Sequence, residues 1–316
     1  MIPVRAVPGM VVPVLLVAFA ALLQPLAVQA NAWETDDKLR TCTRCHDEGE
    51  SHPVLSILKT PHAVVADPGT PFAQEGCASC HGASEQHMRA PGDAGRAPPD
   101  ISFKEGGATP VARQNAVCLD CHEGSTRMHW RGSTHEMQDV GCVGCHDLHT
   151  GHDAVLAKDT QTIACFGCHA EKRAEIMRPS SHPILEGKVA CSDCHNPHGS
   201  VGPSNLTERT VNETCYTCHA EKRGPFLWEH PPAREDCTIC HKPHGSVHPA
   251  LLTHRGPWLC QQCHIAQQHP STAYSGTGLP GESIPSGAQQ VLGKNCMNCH
   301  SQVHGSNHPS GPRLTR

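Results

Sequence analysis

All twenty cysteines of this 316-residue chain fall in copies of one five-residue pattern, Cys-x-x-Cys-His. The first five of the ten copies are Cys42, Cys45 and His46; Cys77, Cys80 and His81; Cys118, Cys121 and His122; Cys142, Cys145 and His146; and Cys165, Cys168 and His169. The second five are Cys191, Cys194 and His195; Cys215, Cys218 and His219; Cys237, Cys240 and His241; Cys260, Cys263 and His264; and Cys296, Cys299 and His300. Two thiols at this spacing can add across the two vinyl groups of a haem, which places the adjacent imidazole beneath the iron as its proximal ligand. Zinc requires no histidine after every cysteine pair, and a disulfide framework requires no fixed two-residue gap. With no cysteine left over, the pattern implies ten covalently attached c-type haems.

An iron held by one histidine still has an open face. Ten of the 26 histidines lie inside the motifs and sixteen lie elsewhere. An internal repeat shows where a second ligand would come from: residues 165–200 are echoed by residues 215–246, each containing two motifs, one histidine between them and one just after the second. Applied through five such doublets, this rule gives the between-motif positions His62, His135, His182, His230 and His269. It gives the trailing positions His87, His149, His198, His244 and His304, for a total of one distal ligand per iron. The spacing is irregular at His269 and His304, where His52 and His308 are the substitutes; His129, His152, His248 and His254 are surplus. Met297 lies inside a motif, and Met88, Met128, Met137 and Met177 fit no repeated position, so methionine ligation is not expected. Iron between two imidazoles offers no position to a substrate and changes oxidation state with little rearrangement. That suits electron transfer better than catalysis.

Residues 1–30 carry a single charge, Arg5, then an apolar run from Met10 to Leu23 interrupted by Pro13, and end in Val28-Gln29-Ala30. This reads as a secretory signal cleaved after Ala30. The run is shorter than the roughly twenty residues a membrane anchor needs. Export agrees with the cysteines, because c-type haem is joined to its protein outside the bacterial inner membrane, and the mature chain is expected in the periplasm or beyond. Its 24 basic and 30 acidic residues give a formal charge of −6, which haem propionates would deepen, and this excludes nucleic acid as a partner.

Aromatic residues make up 3% of the chain, while glycine and proline number 28 and 27. So little apolar side chain cannot build a conventional core of this length, and the porphyrins must serve as one. The expected fold is that of a multihaem cytochrome c: mostly irregular chain with short α-helices around a linear ten-haem array, with little or no β-sheet. Residues 90–110 and 275–287 read as loops. Glu171-Lys172-Arg173 and Glu221-Lys222-Arg223 read as solvated helical faces or partners of propionates, and Phe226, Leu227, Trp228 and Trp258 as packing for porphyrin faces.

The ten motifs, the export signal, and the stretches ETCYTCHAEKRGPFLWEHPPAREDC, CHKPHGSVH, LCQQCH and CMNCHSQVHGSNHPSG resemble the DmsE/MtrA family of periplasmic decahaem c-type cytochromes. The resemblance covers essentially all of the mature chain. It implies an elongated chain of bis-histidine haems held inside an outer-membrane β-barrel porin. It further implies electron exchange between periplasmic or inner-membrane cytochromes and an extracellular multihaem cytochrome, mineral or soluble partner, in metal reduction or oxidation or in respiration of dimethyl sulfoxide. It also implies two pentahaem halves, here residues 31–180 and 181–316. The alternatives are a soluble periplasmic electron shuttle and a multihaem reductase. A reductase keeps one iron open, often with lysine in its motif, and all ten motifs here end in histidine.

Overall fold

A computed structural model describes residues 37–47, 49, 52–89, 95–104, 106–264, 295–309 and 311–315. The expected export signal, His269 and the 275–287 loop lie outside the described residues, as do residues 90–94 and 105 of the expected 90–110 loop.

Each motif folds locally as one helical turn. In all ten, the backbone N–H of the histidine donates to the carbonyl of the first cysteine four residues back, at 2.9–3.1 Å. One turn brings residues i, i+3 and i+4 to the same face, so both thiols and the imidazole point together. The helices around the motifs stay short. The longest among the described residues, Val111–Leu119, has nine residues, and several are single turns started by a side-chain cap. Thr70 caps Pro71–Gln74, Ser133 caps Thr134–Met137, and Thr210 caps Val211–Tyr216, each accepting from the third helical N–H.

The described residues contain only isolated β-bridges, so the expected helical and irregular fold without a sheet is the one adopted. Two of these bridges join consecutive doublets. Ser180 exchanges backbone hydrogen bonds with Ser246 at 3.1 and 2.7 Å, and Trp228 does so with Ser306 at 2.9 Å in both directions. Each bridge ties the segment before a between-motif histidine to the loop after the next doublet's trailing histidine. The approach is too close for a side chain: at Gly245 (φ 153°) a Cβ would overlap the Glu175 carbonyl, and at Gly305 (φ 138°) the Phe226 ring.

Among the described residues six apolar ones are buried, namely Leu39, Phe72, Trp130, Ile176, Ile184 and Ala190, whereas Leu156 and Ile163 remain 75% and 69% exposed. Protein side chains alone therefore form no continuous core among the described residues. No helix among them is long and apolar enough to cross a membrane.

Candidate haem-binding chain

Among the described residues, nine motif histidines each face a second histidine. The ring pairs are His46 with His87, His122 with His62, His81 with His149, His169 with His135, and His146 with His198. The others are His219 with His182, His195 with His244, His264 with His230, and His241 with His304. Ring centroids lie 5.9–6.4 Å apart in every pair, although the angle between rings runs from 7° to 76°. Direct ring contact would tie distance to angle. A constant distance at variable angle indicates a common spacer. A metal–imidazole bond is about 2.0–2.1 Å and a ring centroid sits about 1.1 Å inside its nitrogens, so two imidazoles on opposite faces of one iron have centroids about 6.2–6.4 Å apart. No group of three or more histidine, cysteine or acidic side chains positioned to hold a metal ion occurs among the described residues. A structural zinc needs four protein ligands. Two imidazoles with a flanking thiol pair instead fit haem, whose porphyrin supplies the other four nitrogens.

The pairing follows a rule the repeat does not reveal. The first motif of doublets two to five takes the between-motif histidine of the preceding doublet (His62, His135, His182, His230). The second motif of doublets one to four takes the trailing histidine of the following doublet (His149, His198, His244, His304). His46 at the start is served within its own doublet by His87. The position left for His300 is His269, outside the described residues. His304 faces His241, while the substitute candidate His308 instead accepts the Trp228 indole N–H on its carbonyl at 3.0 Å.

Cysteine contacts put the motifs in sequence order. Within each doublet the leading cysteines lie beside one another: Cys42 and Cys77, Cys118 and Cys142, Cys165 and Cys191, Cys215 and Cys237, and Cys260 and Cys296. In the first pair that contact holds Cys42 down to about 6 and pushes Cys77 up. Between doublets, burial and then the next unit's thiol push up Cys80 (beside Cys121), Cys145 (Cys168), Cys194 (Cys215) and Cys240 (Cys263). The ten motifs thus form one file, one to ten. The expected boundary at 180/181 falls inside the third doublet, and the His146–His198 pair and the Ser180–Ser246 bridge both cross it.

Second contacts fix the imidazoles. A carbonyl can only accept, so where Nδ1 meets one it must carry the proton, leaving Nε2 free for metal. His81, His195, His241 and His300 donate to the carbonyls of Ile101, Ser204, Ala250 and Arg313 at 2.6–2.9 Å. Among the partner histidines, His135, His182 and His230 donate to Pro197, Pro243 and Val303 at 2.7–2.9 Å. Each of these carbonyls belongs to the residue just before His198, His244 or His304. One peptide therefore positions the opposing histidines of two neighbouring motifs. His87 and His149 donate to Ala97 and Val54, whereas Nδ1 of His62 and of His198 is buried without a partner. Burial also lowers the proton affinity of His81, His122, His198, His244 and His304, favouring the neutral form that metal requires.

Sequence reading missed the amides that clamp the doublets. Buried Asn115 accepts from Cys142 N–H at 2.8 Å and donates to Val140 O at 3.1 Å. Asn212 repeats this with Cys237 N–H at 2.8 Å and with Ala233 and Arg234 carbonyls at 3.2 and 2.9 Å. Gln161 plays the part in the third doublet through Ser192 and Val155. Asn115 and Asn212 each stand three residues before a leading cysteine, the one trace of this role in the sequence. The Glu-Lys-Arg segments also differ from a purely solvated face, since Lys172 bridges Glu171 and Glu175 at 3.1 and 3.2 Å and Glu175 reaches His244. Trp228 is fixed to the 306–308 loop, and Leu227 and Trp258 are exposed.

A chain with its cysteines in ordered Cys-x-x-Cys-His turns, its histidines opposed across iron-sized gaps and almost no side-chain core is a multihaem c-type cytochrome, an electron-transfer protein that binds haem covalently. The family described as Doubled CXXCH motif matches residues 182–224 and 230–269, and that described as Cytochrome c-type protein NrfB-like matches residues 77–163. Over 277 residues, 87% of this chain and 80% of the relative, it is 46% identical to Multiheme cytochrome MtrA of Shewanella baltica (strain OS185). The chain belongs to the MtrA family of multihaem cytochromes.

Proposed function

We propose that this chain holds ten haems, each between two histidines, and carries electrons across the outer membrane inside a β-barrel porin. It would thereby link periplasmic or inner-membrane cytochromes to an extracellular cytochrome, mineral or soluble redox partner. The observation that carries this reading is the unbroken file of nine opposed histidine pairs, each at the spacing of a bis-histidine iron. Bound haem supplies a one-electron ferric/ferrous couple. The chain's own residues close both axial faces against substrate, anchor each porphyrin edge through two thioethers, and interleave consecutive units so that neighbouring groups stay near contact. All nine paired motifs fit the conducting role alike.

Family membership supports a periplasmic location, removal of residues 1–30 and the porin. So does the surface: irregular backbone cannot face hydrocarbon with its amides unsatisfied, and a closed barrel would shield it. A compact 286-residue globule has a radius of gyration of about 19 Å and hence a diameter of about 50 Å, which barely spans the ~40–45 Å of a bilayer with headgroups, whereas a file of ten haems drawn out lengthwise would span it with ease. The processed protein should weigh ten haems more than its polypeptide and show only low-spin ferric iron. It should co-purify with an outer-membrane β-barrel, and liposomes holding both proteins should pass electrons from external reductant to an enclosed dye. Dye reduction with the barrel alone, or failure of the two to associate, would instead favour a soluble periplasmic shuttle.

A further inference from the structure

Along the five doublets the second-motif histidine donates its Nδ1–H to an acceptor later in the chain. Four of these acceptors are backbone carbonyls, of Ile101, Ser204, Ala250 and Arg313. The exception is His146 of the fourth motif, whose partner is the carboxylate of Asp153, Nδ1 to Oδ2 at 2.8 Å. Asp153 is only 10% exposed, and its other oxygen is engaged by Val155 N–H at 3.2 Å, capping the turn Ala154–Leu156. The carboxylate is therefore fixed from its own side and held out of solvent, where its field is little screened. The opposing imidazole, His198, has a buried Nδ1 with no acceptor, so among the described residues Asp153 is the one side chain hydrogen-bonded behind either ring of this pair.

Two other carboxylates approach paired histidines, and both are weaker. Glu175 lies 3.3 Å from His244 but shares its charge with Lys172 at 3.2 Å. Glu221 is 3.8 Å from His219, beyond hydrogen-bond reach, with both side chains more than half exposed.

A carboxylate that accepts Nδ1–H makes the imidazole a stronger donor at Nε2, and a stronger donor stabilises ferric over ferrous iron. We propose that Asp153 is a tuning residue that depresses the reduction potential of the fourth haem, placing an uphill step at the one second-motif histidine whose acceptor is a carboxylate and not a carbonyl. The proposal rests on two-histidine ligation. Since motifs three and five flank motif four in the file, every electron passing in either direction crosses this step, and the charge on one side chain sets its height.

The test uses the full-length, haem-loaded protein. Asp153→Asn removes the charge while keeping an oxygen that can cap Val155. In a potentiometric titration followed by visible and electron paramagnetic resonance spectra, one haem in ten should become at least tenfold easier to reduce at fixed potential, about 59 mV for a one-electron couple. Glu175→Gln should shift its haem by less. Superimposable titrations of wild type and Asp153→Asn, with all haems low-spin, overturn the proposal. Should Asp153→Asn assemble fewer than ten haems, Asp153→Ser keeps a capping oxygen without charge, and loss of the same haem there too would reduce Asp153 to a scaffold residue and overturn the tuning role. High-spin ferric iron in unaltered protein would count against two-histidine ligation itself, a distinguishable failure.

Discussion

His230 lies between motifs seven and eight in sequence, yet its ring stands 6.2 Å from His264 of motif nine. His230→Ala should leave all ten haems attached, since no thioether is touched, and open one axial position. The expected high-spin fraction is thus one-tenth of the total iron. The variant also loses the Nδ1–H bond to Val303 at 2.9 Å, partly buried, which adds about 0.5–1.5 kcal/mol of destabilisation at the junction of doublets four and five. Electron paramagnetic resonance at high-spin g values, calibrated per haem, measures the fraction. The assignment to motif nine is tested by combining variants, because residues acting on one site do not add. With Cys260→Ala/Cys263→Ala, which removes the ninth haem, His230→Ala should create no high-spin iron. With Cys237→Ala/Cys240→Ala, which removes the eighth, it should still create one such site. The reverse pattern would refute the interleaved ligation, and no high-spin iron in the single variant would remove His230 from the ligand set. His230→Met should restore a sixth ligand and raise the potential of that haem, because a thioether favours ferrous iron.

His254→Met should leave both the titration and the spin state unchanged, since the His254 ring contacts Thr253 and Gln262 and faces no motif histidine among the described residues. Gly245→Ala should destabilise the junction of doublets three and four by about 2–3 kcal/mol, because positive φ and overlap with the Glu175 carbonyl act together, and faster amide exchange at Ser180 and Ser246 would register it. Asn212→Ala removes three hydrogen bonds at a buried site and should lower stability by about 2–4 kcal/mol, read as earlier thermal unfolding with the haem count intact.

The motifs and the helical, sheet-free fold were legible in the sequence because both depend on local chemistry. A Cys-x-x-Cys-His stretch closes one turn by its own backbone bond, and a chain so poor in aromatic residues has no means of making a protein core. The positions of the nine opposing histidines were legible as a count, since the repeat marks them. Their partners were not: His46 and His87 are 41 residues apart, and His81 and His149 are 68 apart. Such pairings are set by bridges such as Trp228–Ser306, which no spacing rule anticipates. Asn212 and Asp153 escaped notice for a related reason. Asn212 looks like an ordinary polar residue until Cys237 arrives from 25 residues on, and Asp153, only seven residues after His146, sits at a spacing that no other doublet repeats with an acidic residue.

The interleaving gives the protein ends. Repeat proteins whose units lean on their neighbours need special terminal units, because the outermost one has nothing beyond it to complete it. Here the first doublet acts as such a cap: His87 turns back to His46 within its own doublet. The interior doublets two to four are alike in what they lend and borrow, one imidazole backward and one forward across each junction. A chain cut at the boundary between the fourth and fifth doublets would strand His241 without His304, and a conductor would end in a reactive, five-coordinate site. Removing or duplicating a whole interior doublet leaves every imidazole matched. The length of this conductor is accordingly quantised, adjustable by evolution or by design in steps of two haems.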